Sequence, residues 1–117
     1  MDEILKTTLL YDFYGELLTE RQRTIFEMFH LNDLSLTEIG QELDISRQAV
    51  KDQMKRIIKN LGDYEEKLKL VEKFLEQKAL IKKIKALAEE IEGQFDVKTE
   101  VVEKIEQIKK ISDDILE

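Results

Sequence analysis

Apolar residues recur along the chain at intervals of three and four, the period of one face of an α-helix. Ile4, Leu5, Leu9, Leu10, Phe13, Tyr14 and Leu17 predict a first amphipathic helix ending near Gly15. Thr19 and Gln22 have the spacing of a capping box, so a second helix is expected over about 20 to 31, burying Ile25, Phe26, Met28 and Phe29. Asn32-Asp33-Leu34 breaks the period. Ser35 and Glu38 then form a second capping box, ahead of a short third helix that carries Ile39, Gly40 and Leu43. After Asp44-Ile45-Ser46 a fourth helix opens with Ser46 as its cap and turns Val50, Met54, Ile57, Ile58 and Leu61 inward. Two short helices across so tight a turn outline a helix-turn-helix.

Beyond Gly62 the texture shifts to Lys, Glu, Leu and Ile. Tyr64, Leu68, Val71 and Leu75 keep a helical period, and Ile81, Ile84, Leu87 or Ala88, and Ile91 resume it after a phase slip near Gln77 to Ala79. One long helix over 63 to 91 is expected, with room for a bend at the slip. At about 1.5 Å per residue it would reach roughly 43 Å, more than a core of some sixty residues covers. Glu92 to Asp96 reads as a connector. Val101, Ile105, Ile108, Ile111 or Ser112, and Ile115 form a last seam, which either folds back on the long helix or meets another chain. The expected organisation is a helix-turn-helix domain over 1–61, then a region over 62–117 of a long helix and a terminal helix, suited to homodimer formation.

Composition sharpens this picture. The 117 residues include no Pro and no Cys, four scattered Gly, 42% hydrophobic and 38% charged residues, a mixture that suits an all-α protein. Without Cys there is no disulfide framework, thiolate zinc site or cysteine nucleophile. The longest apolar run is three residues, far short of the about eighteen a membrane span needs. The opening Met1-Asp2-Glu3-Ile4 lacks the basic region and apolar core of an export signal, so a cytoplasmic location is expected. With 19 Lys and Arg against 26 Asp and Glu, the net charge of −7 argues against general binding of nucleic acid. Any such binding must use a local patch.

Residues 46–59 supply one: Arg47, Lys51, Lys55, Arg56 and Lys59 against Asp52 alone give a local +4. Arg47, Gln48 and Lys51 lie near the start of the fourth helix, the end that enters a major groove, where Arg forks onto guanine and Gln onto adenine. Lys55, Arg56 and Lys59 lie further along and suit phosphates, as does Ser46 at the helix start. The competing reading is that these cations complement the helix dipole and keep the surface soluble. Gly40 is the small residue that lets the third and fourth helices approach closely.

The stretch from Leu17 to Leu61, with LLTERQR at 17–23, DLSLTEIGQELDISRQAV at 33–50 and KR at 55–56, resembles region four of bacterial sigma factors. DFYGELLTERQR at 12–23, SRQAVKDQMKR at 46–56 and GDYEEKLKL at 62–70 together resemble the YlxM family of small helix-turn-helix proteins. The resemblance covers about three-fifths of the chain. It implies a DNA-binding regulatory protein, and through gene neighbourhood a part in the signal recognition particle pathway. The chain departs from that pattern at Lys51 and His30, where relatives usually carry aromatic residues.

Enzyme readings find little support. The single His30 reads as a packing or capping residue, and the glycines at 15, 40, 62 and 93 form no phosphate-cradling cluster. Glu89, Glu90 and Glu92, and Asp113 with Asp114, read as solvated faces, and Tyr11, Phe13, Tyr14, Phe26, Met28 and Phe29 as core. No cofactor and no metal are expected. A docking adaptor that meets a basic protein or ribonucleoprotein partner through its acidic surface is the alternative to a DNA-binding regulator.

Overall fold

The computed structural model describes residues 2–117, so Met1, the first position of the expected N-terminal domain, lies outside the described residues. Among these residues there are six α-helices, one 3-10 turn and no strand, the all-α class expected. The chain divides into two compact units, Met1–Val71 and Glu72–Glu117.

In the first unit, α1 (Glu3–Tyr14) runs through a 3-10 turn (Gly15–Leu17) to α2 (Glu20–His30), α3 (Leu36–Leu43) and α4 (Arg47–Leu68). Both capping boxes form. Thr19 Oγ1 accepts from the Gln22 amide at 3.2 Å while Gln22 Oε1 accepts from the Thr19 amide at 3.1 Å. Ser35 and Glu38 make the same exchange, both bonds at 3.0 Å. α4 is the central strut, packed against α1, α2 and α3 through Val50, Met54, Ile57 and Leu61. Facing them are Leu10, Tyr14, Ile25, Phe26 and Ile39, all buried. The Phe26 ring stacks on Tyr11 at 4.1 Å and on His30 at 4.4 Å, so the lone histidine is a packing residue. Phe13 and Phe29, expected in the core, stand at its rim, and Ile58 points outward because it falls beyond the arc that α1, α2 and α3 cover.

The fourth helix does not stop at Gly62. It continues to Leu68 and ends where Lys69 takes a left-handed conformation, φ 59°. The break has a polar cause. A helix start leaves amides without partners, and here the Tyr14 hydroxyl accepts from the Leu70 amide at 3.1 Å while Glu65 Oε1 accepts from the Val71 amide at 3.0 Å. The same Tyr14 hydroxyl donates to Glu65 Oε1 at 2.5 Å. The single long helix expected over 63 to 91 is therefore the tail of α4 plus α5 (Leu70–Gln94). Gln77 to Ala79 makes no break, being composed of good helix formers. The connector shortens to the residues between Gln94 and Thr99.

In the second unit, α5 and α6 (Thr99–Leu116) form an antiparallel hairpin, so the last seam folds back within the chain. Lys85 pairs with Asp113 at 2.5 Å and Lys109 with Glu92 at 3.3 Å, and the hydrogen bond to its carboxylate partner raises the pKa of each lysine. Of the alternatives left open by the periodicity, the small residues Ala88 and Ser112 are the buried ones, together with Ile105. Small side chains occupy the seam, and Leu87 and Ile111 turn outward.

Candidate nucleic-acid interface

The geometry of the helix pair converges on Gly40. Its carbonyl accepts from the amides of both Asp44 and Ile45, the latter at 2.9 Å. A Cβ at this position would lie 2.6 Å from the Ile45 carbonyl oxygen, a backbone atom with nowhere to go. Gly40 is thus required by the turn itself, a more local reason than helix crossing. Asp44 ends α3 in the left-handed region at φ 57°, a conformation that Asp tolerates better than most side chains. The chain then re-enters a helix at once, with Ser46 Oγ accepting from the Ala49 amide at 3.0 Å.

That turn sets the pitch of α4, whose apolar arc faces inward. At 100° per residue, Lys59 and Gln48 come about opposite Val50, Met54, Ile57 and Leu61, with Lys55 and Arg56 to either side of them and Lys51 and Arg47 further round on the Lys55 side. All seven residues singled out by sequence, Ser46, Arg47, Gln48, Lys51, Lys55, Arg56 and Lys59, are exposed. From Arg47 to Lys59 the ridge extends about 18 Å along the helix.

Three members are engaged locally, Ser46 through its cap on the Ala49 amide and two through acids. Lys59 Nζ pairs with Asp63 at 2.9 Å, and Gln48 Nε2 donates to Asp52 Oδ1 at 3.0 Å. Among the described residues no ion pair holds Arg47, Lys51, Lys55 or Arg56. These four side chains meet solvent as bare cations, available to a polyanion without breaking an internal contact. Asp52 is the only acid within the ridge. On α3, the Ser35 amide and hydroxyl bond the Glu38 carboxylate and hold its pKa below the usual range, so that helix keeps its negative charge.

The family model described as "Putative helix-turn-helix protein, YlxM / p13 like" (UPF0122) matches residues 1–117. The chain belongs to the UPF0122 family. A UPF0122 protein of Caldanaerobacter subterraneus subsp. tengcongensis is 60% identical over 84 residues, 72% of each chain. A UPF0122 protein of Bacillus cereus strain AH187 is 44% identical over 108 residues, 92% of this chain and 98% of its own length. One from Bacillus thuringiensis subsp. konkukian matches equally well over the same shares. The UPF0122 match thus extends through the C-terminal hairpin, where sequence inspection found little family signal.

One polar arrangement in this UPF0122 member is not legible from periodicity. The helical period places Tyr14 in the core, yet its hydroxyl and Glu65 together anchor the junction of α4 and α5. The only trace in the sequence is a polar, hydroxyl-bearing ring at a position whose period demands full burial, since buried Tyr hydroxyls find partners. Among the described residues no group of three or more His, Cys, Asp or Glu is placed to hold a metal ion. None of the described helices is long and apolar enough to cross a membrane.

Proposed function

We propose that the protein is a non-enzymatic, cytoplasmic regulator that binds duplex DNA through the exposed face of α4. Arg47, Gln48 and Lys51 meet base edges in the major groove, and Ser46, Lys55, Arg56 and Lys59 meet phosphates. The observation that carries this reading is the row of exposed cations on α4, four of them without an internal ion pair, on a chain of net charge −7. Family membership supports the helix-turn-helix part of it. Titration of labelled duplex at several salt concentrations is the test. With three or four phosphates neutralised per protomer, log affinity should fall with log salt at a slope of about −3 to −4. Absence of binding at low salt removes the proposal.

A second reading is favoured by the exposed acids Glu20, Glu27, Glu38, Glu42 and Asp44 on α2, α3 and the turn. In it the module docks on a basic component of the protein-targeting ribonucleoprotein, the signal recognition particle, that the family resemblance implies. Charge reversal at Lys51 and Lys55 separates the two readings, because it abolishes DNA binding and leaves docking through acids intact.

A further inference from the structure

The hairpin of α5 and α6 buries little of what it carries. Ala88, Ile105 and Ser112 are its buried residues, a thin core for residues 72–117, since units of this size rarely hold together alone. Its seam runs through Lys85, Ala88 and Glu92 on α5 and through Ile105, Lys109 and Ser112 on α6. One position before the seam lies a second row, apolar except at Lys104, which precedes Ile105. On α5 that row is Leu80, Ile84, Leu87 and Ile91; on α6 it is Val101, Ile108, Ile111 and Ile115. One residue is a rotation of 100° about a helix axis, and the two helices are antiparallel, so the same step turns both rows to the same side of the hairpin. The result is one largely apolar face, interrupted on α6 by Lys104.

These eight side chains are 40–59% exposed. Together they leave open about 750 Å² of surface, close to the about 800 Å² that each partner buries in a standard interface. The outer flank of this face, beyond Leu87, carries paired charge. A shallow cleft of about 220 Å³ on α5 is lined by Lys83, Ala86, Leu87 and Glu90. Lys83 and Glu90 lie seven residues apart, centred between Ala86 and Leu87. Among the described residues neither is held in an ion pair. If α5 crosses α5 of a second copy antiparallel at that centre, Lys83 meets Glu90 of the second copy and Glu90 meets its Lys83. Such reciprocity is what a two-fold interface requires, because one patch must complement itself.

From this geometry we infer that the hairpin face is covered by a second copy of the chain, forming a four-helix bundle whose dyad passes between Ala86 and Leu87. Sedimentation of the full chain without DNA tests it, independently of whether the α4 ridge binds DNA. The chain sediments as a dimer. Lys83→Glu alone and Glu90→Lys alone each replace two attractive contacts by two repulsive ones and raise the dimer dissociation constant about tenfold or more. The double swap returns it to within about threefold of the parent value. Leu87→Asp, at an exposed position that does not threaten the hairpin, yields a monomer of unchanged helix content. A parent chain that is monomeric at every soluble concentration overturns the inference. So does a dimer whose dissociation constant the single charge reversals leave unchanged.

Discussion

A methyl group added at Gly40 would press on the Ile45 carbonyl oxygen, and neither the α3 terminus nor the Ser46 cap can yield without losing hydrogen bonds. Gly40→Ala is expected to destabilise the first unit by about 3 kcal/mol in denaturant titration, a large cost for so small a side chain. Ser46→Ala removes the Ala49 amide's acceptor and costs about 1 kcal/mol. His30 predicts a pH effect. Its ring lies against Phe26 and Phe29, its buried Nε2 has no hydrogen-bond partner, and burial lowers its pKa below 6.5. The unfolded chain therefore takes up the proton first. Stability is complete above about pH 6.5 and declines as pH falls from there through the folded pKa. His30→Phe keeps the stack and should flatten this slope in thermal melts at pH 5 and 7. At the alkaline end, burial and then the bond to Glu27 raise Tyr11 to about 12. Stability is then lost as pH rises from 10 towards 12, and Tyr11→Phe removes that loss.

Among the helices, legibility in sequence follows how local the determining contact is. The starts of α2, α3 and α4 were readable because each cap is an exchange between residues three apart, and the Asp44 to Ser46 turn was readable from the same signals. The end of α4 was not, because its cause lies some fifty residues away at Tyr14. Periodicity likewise left Leu87 against Ala88 and Ile111 against Ser112 undecided, since adjacent apolar positions fit the period about equally and only the approach of the facing helix selects the smaller. The seven α4 residues were legible as an outward set, but their local partners were not. Asp52 is the informative one. It holds Gln48 and lowers the charge of the ridge, so under the proposed function Asp52→Asn should tighten DNA binding several-fold at low salt. Lys55→Glu should weaken it and reduce the magnitude of the salt slope by about one.

Across the whole molecule, residues 1–71 hold 10 Lys and Arg against 14 Asp and Glu, and residues 72–117 hold 9 against 12. Both units are acidic, so the α4 ridge is a local exception in the charge distribution of the chain, and a duplex is repelled by most other approaches. A steep salt slope of about −10 would be inconsistent with that distribution, and titration between low and physiological salt measures it directly. The order of the two units carries a consequence for synthesis. Everything that closes the first unit, including the Tyr14 and Glu65 contacts with residues 70 and 71, is encoded before residues 72–117. At roughly 5–20 residues per second, translation of residues 72–117 takes about 2–9 s, whereas small helical domains fold in microseconds to milliseconds. The nascent chain therefore completes its helix-turn-helix while the ribosome is still producing the C-terminal hairpin, so the exposed apolar row of that hairpin emerges beside a module that has already matured.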